Sequence, residues 1–136
     1  MTSFTAVTDE ETFVKAKAEI NAALNTLSDE KEIFKDFLKD ADIRFYEYLD
    51  YSYEQCLTIF VVVADGKLHT DDTKDILGFY KEMTKPVIET ISRQALVKKI
   101  ALNYYVVNIF FKEVSEIKPL TTIELWVRCW RKIWKN

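Results

Sequence analysis

The stretch YSYEQCLTIFVVVA, Tyr51 to Ala64, decides how this chain is read. Its Thr58, Ile59, Val61, Val62 and Val63 are β-branched, and an apolar run of this length suits a buried strand as well as a buried helix. A strand needs a partner. The candidate is Val106 to Phe111, which lies inside a longer helix-compatible run, so a sheet would have to be built at the expense of a helix. On that reasoning Tyr51 to Ala64 is expected to be helical and the chain all-α.

Working outward, the flanks read the same way. Thr8 followed by Glu11 has the form of a capping box, and Phe13, Ala16, Ile20, Ala23, Leu24 and Leu27 recur at helical spacing, predicting a helix to about Leu27. Ser28 with Asp29 and Glu30 opens a second, whose apolar face is Ile33, Phe34, Phe37, Leu38, Ala41, Phe45 and Leu49. Downstream, Asp65-Gly66 breaks the pattern, and Thr70 with Asp71 and Asp72 restarts it toward Thr84. Pro86 suits the first turn of a segment to Lys118 that is apolar nearly all round between Leu96 and Phe111. Straight, that helix would be about 50 Å long, which predicts a bend, with Asn103 and Asn108 as weak points. Pro119 ends it, and Thr121 with Glu124 caps a last helix, Thr122 to Lys135. The expected fold is a single all-α bundle of five to six helices around a long central helix near residues 86–118.

Composition fits this picture. The 136 residues are 49% hydrophobic, enough for one core, and the two Gly and two Pro leave little of the punctuation that β-sandwiches need. The net charge of −3 argues against a broad nucleic-acid surface. It is unevenly spread: residues 1–75 carry 8 basic and 17 acidic groups (−9), residues 76–136 carry 11 and 5 (+6). Cys56 and Cys129 have no paired spacing, which suggests reduced thiols in a cytoplasmic protein. No basic leader precedes an apolar stretch, and the runs Leu57 to Ala64 and Ile100 to Phe111 fall short of the ~20 apolar residues of a membrane span. Two glycines cannot build a phosphate-binding loop or a dinucleotide fingerprint, and one histidine, His69, excludes two-histidine zinc sites. No cofactor is expected.

Metal binding would therefore rest on carboxylates. Asp71, Asp72 and Asp75 spell the D-D-x-x-D pattern of terpenoid synthases, although an acidic first turn on a helix dipole explains them more simply. The stretch from Ala64 to Asp72, Ala-Asp-Gly-Lys-Leu-His-Thr-Asp-Asp, resembles the turn of the tellurite-resistance TerB-like helical domains over about twenty residues. The resemblance implies an all-helical cytoplasmic domain with an acidic, metal-associated turn, and makes Asp65 and Asp72 its candidate ligands. The same stretch is similar to the second half of an EF-hand loop, but Val61 and Val63 stand where the first oxygen ligands belong.

Two segments suggest binding. Trp126, Trp130 and Trp134 fall at i, i+4 and i+8 on one stripe of the last helix, with Arg128, Arg131, Lys132 and Lys135 largely away from it. Such a helix can close a core, fill a partner's groove, lie on an anionic membrane or straddle nucleic acid. Tyr46, Tyr48, Tyr51 and Tyr53 alternate with Glu47, Asp50 and Glu54, and aromatic side chains dominate interface hot spots. The expected function is non-enzymatic binding of another macromolecule, most readily a protein, in the manner of an inhibitor, immunity or accessory protein. The alternatives are a carboxylate metal sensor and a peripheral membrane protein. Oligomeric state is left open, a homo-oligomer included.

Overall fold

The computed structural model describes residues 5–7, 10–68 and 76–117. Helix α1, Glu11–Glu30, buries Phe13, Ala16, Ile20 and Leu24, the stripe its spacing predicts. It does not stop near Leu27: the Ser28 hydroxyl donates to the Leu24 carbonyl at 2.9 Å, so this residue continues the helix instead of capping a new one. An extended Lys31 separates α1 from α2, Glu32–Phe37, which inserts Phe34 and Phe37 into the core.

From there the all-α expectation is overturned. Residues Asp42–Leu49 (β2) and Gln55–Val63 (β3) form an antiparallel hairpin, β1 (Thr5–Ala6) adds to the outer side of β2, and β4 (Val106–Glu113) pairs in parallel with β3. The result is a four-stranded mixed sheet in the order β1-β2-β3-β4, and an α/β fold instead of a helical bundle. The apolar positions Phe37, Ala41, Phe45 and Leu49 misled because a spacing of four is both one helical turn and two strand pleats. The intervening Ile43, 1% exposed, settles the period as two. β3 is buried on both faces, which is why its sequence shows no alternation.

The long helix near 86–118 is likewise replaced. A short α3, Ile76–Phe79, passes through a π turn, Tyr80–Thr84, into α4, Lys85–Ser92. Pro86 sits in the first turn of α4, as expected, and its missing N–H accounts for the widened turn just before it. Helix α5, Ala95–Ala101, follows, its first turn held by the Glu19 carboxylate accepting the Leu96 N–H at 3.0 Å. The chain then leaves helical geometry through the stretch containing Asn103, and Asn108 lies inside β4.

All the helical stripes converge on one face of the sheet. Ile20 of α1, Val87 and Ile91 of α4 and Ile59, Val61 and Val63 of β3 are each at or near zero exposure in a single cluster. Phe13 meets Phe45 edge-on at 5.1 Å, and Phe37 stacks on Phe111 at 5.6 Å. Along each strand the alternate residues, Arg44, Tyr46 and Tyr48 on β2 and Cys56, Thr58, Phe60 and Val62 on β3, point to the other face.

Candidate interaction surface

The β2–β3 hairpin turns through Asp50 to Glu54, and Asp50 organises it. Its carboxylate Oδ1 accepts the N–H groups of Ser52 at 2.8 Å and Glu54 at 2.9 Å, and its carbonyl accepts that of Tyr53 at 3.1 Å. The turn leaves Tyr51 and Tyr53 at 89% and 85% exposure. Tyr53 holds a left-handed φ of 61°, a conformation that disfavours a bulky side chain.

Other apolar groups gather at the same end of the sheet. The Tyr105 N–H donates to the Gln55 carbonyl at 2.8 Å, tying the α5–β4 connection to the base of the hairpin. Leu49, Leu102 and Tyr105 are also exposed there. Sequence reasoning passed over Leu102 and Tyr105 because it placed them in the interior of a central helix. Their exposure follows from the end of α5 at Ala101, for which Asn103 was the available signal.

The electrostatics of this end are acidic, from Glu10, Glu47, Asp50 and Glu54, and Glu10, Glu47 and Lys99 all line a cavity of about 270 Å³. On its wall the Tyr104 hydroxyl donates to the Glu47 carboxylate. Burial, reinforced by that carboxylate, pushes the phenol well above its ordinary range, so Tyr104 stays a neutral donor.

The four sequence-selected tyrosines separate. Tyr51 and Tyr53 share the hairpin tip, whereas Tyr46 and Tyr48 lie on the face of the sheet away from the helices, half-buried. Tyr46 meets Phe60 edge-on at 5.4 Å, and the Tyr48 hydroxyl accepts the Asn108 side-chain N–H at 3.2 Å. Trp126, Arg128, Trp130, Arg131, Lys132, Trp134 and Lys135 lie outside the described residues, as does Asp72.

Asp65 opens the turn at the opposite end of the sheet, where Gly66 takes a φ of 89°. Its carboxylate accepts the Ser115 N–H at 2.8 Å, and the buried Glu113 carboxylate accepts those of Gly66 at 2.7 Å and Leu68 at 3.0 Å. The two acids thus tie this loop to the end of β4. Among the described residues no three carboxylate, histidine or cysteine groups come together in a metal-holding cluster. No described helix is long and apolar enough to cross a membrane. No protein-family model matches the chain, and no curated protein or solved structure matches it either.

Proposed function

We propose that this is a non-enzymatic cytoplasmic protein that binds another protein through the hairpin end of its sheet, with Tyr51 and Tyr53 as anchors. The observation that carries the reading is the pair of tyrosines held in water on a turn fixed by the Asp50 carboxylate. A tyrosine ring turns about only two side-chain bonds and so loses little conformational freedom on binding, which is how tyrosine comes to dominate interface energetics. Leu49, Leu102 and Tyr105 extend the apolar patch. Asp50 and Glu54 beside it favour a partner with a basic rim, recruited faster at low salt.

The experiment is affinity capture from the native host, with the full chain and a Tyr51→Ser/Tyr53→Ser variant side by side. Purified candidates are then titrated against both. The expected result is a partner bound at least tenfold more weakly by the double variant, at unchanged thermal stability. Equal affinity for the two proteins would remove the hairpin from the interface.

A further inference from the structure

The first strand is short, and it leaves part of the sheet edge open. β1 meets β2 at Tyr46 and Glu47, and beside it the Val7 N–H donates to the Phe45 carbonyl at 2.9 Å. No described residue continues that pairing toward Asp42. Backbone groups alternate in direction along a strand, so the N–H and C=O of Ile43 point out of the same edge as those of Phe45. Between this edge and α1 lies a cavity of about 340 Å³, within the range of small-molecule sites. Val7, Phe13, Ile43 and Phe45 supply its apolar wall, and Val14, 53% exposed, stands at the rim.

The charged part of the lining is unbalanced. Lys17 of α1 and Arg44 of β2 converge on one carboxylate: Lys17 Nζ lies 2.9 Å from Asp42 Oδ1, and Arg44 Nε donates to Oδ2 at 3.1 Å. Two cations share one anion, which leaves a single positive charge in excess, in a half of the sequence that carries −9 overall. Arg44 meets Asp42 through Nε, so its terminal amino groups, near the Tyr46 hydroxyl, remain to donate to a second acceptor. All three charged side chains are half-exposed, and an incoming anion reaches them without opening the fold. One excess charge suits a monoanion, the planar guanidinium suits a carboxylate, and the apolar wall suits a hydrocarbon body.

We propose that the cavity between α1 and the open edge of β2 binds a small carboxylate with an apolar body, such as a medium-chain fatty acid. Arg44 and Lys17 take the carboxylate, Asp42 holds both cations in place, and the chain lies against Phe13, Ile43 and Phe45. The site is at the start of β2 and the hairpin tip is at its end, so this ligand and a protein on Tyr51 and Tyr53 occupy separate surfaces.

Sodium octanoate is the probe, with octan-1-ol and octylamine as chains of the same length that are neutral and cationic. In titrations of the full-length protein followed by methyl NMR, octanoate should move the Val7, Val14 and Ile43 signals. Octan-1-ol should bind roughly tenfold more weakly, the loss of about one charge-assisted hydrogen bond, and octylamine more weakly still. Arg44→Gln should cost octanoate the same factor and leave octan-1-ol unchanged, a split that a general loosening of the fold would not produce. Val14→Trp, at an exposed position, should fill the cavity and abolish binding of both at unchanged thermal stability. The proposal is overturned if the three methyl signals stay fixed with octanoate, or if the acid and the alcohol bind equally. It is also overturned if octanoate binds Arg44→Gln or Val14→Trp as it binds the native protein.

Discussion

Tyr53 combines two unfavourable states, a left-handed φ of 61° and a ring 85% exposed to water. The backbone conformation costs a non-glycine residue on the order of 1 kcal/mol, and the solvated ring recovers nothing by burial. Tyr53→Gly should therefore raise stability by roughly 0.5 kcal/mol, less than the full strain because glycine is freer when unfolded. Urea denaturation measures this, and a loss of stability would show that the ring packs after all. Under the proposed function, the same variant should bind a protein partner more weakly while the fold gains stability. At this scale the sequence was informative, since aromatic side chains among Glu47, Asp50 and Glu54 are visible without a structure. Leu102 and Tyr105 were not visible, because their exposure depends on where a helix ends.

Among the elements, α1 was legible and the sheet was not. Phe13, Ala16, Ile20 and Leu24 fit no period but the helical one, whereas Phe37, Ala41, Phe45 and Leu49 fit both periods. β3 shows no period at all, and its identity depends on β4, a strand fifty positions away, since Cys56 pairs with Val106. Long-range pairing of this kind leaves no trace in a local window. The central position of β3 sets a clear expectation. Ile59, at zero exposure between Phe45 and Ile109, should cost about 3 kcal/mol when truncated to alanine, as a cavity opens that its neighbours cannot fill. Amide exchange should be slowest along Leu57 to Val63, and a Tm unchanged in Ile59→Ala would contradict the pairing.

At the scale of the whole molecule, Asp42 and Tyr104 tie stability to pH at opposite ends of the range. Burial alone would raise the Asp42 carboxyl, but hydrogen bonds from Lys17 and Arg44 and their charges outweigh it and leave the group below its ordinary 3.8. Its contribution is present above that value and is lost as pH falls through the lowered one; half-exposed, it is a small contribution. Tyr104 acts at the other limit. Raised by burial and by Glu47, it contributes stability below its ordinary 10.0 that is lost as pH climbs beyond. Denaturation across a pH series should show Asp42→Asn flattening the acid limb and Tyr104→Phe the alkaline limb. An alkaline limb unchanged in Tyr104→Phe would place its origin elsewhere. The parallel pairing of β3 with β4 has a further consequence, for synthesis. The hairpin Asp42–Val63 can close as soon as it clears the ribosome, but the outer edge of β3 waits until Val106–Glu113 has been made. For that interval the nascent chain carries an unpaired row of Cys-Leu-Thr-Ile-Phe-Val-Val-Val, an exposed edge of the kind that invites pairing with another chain.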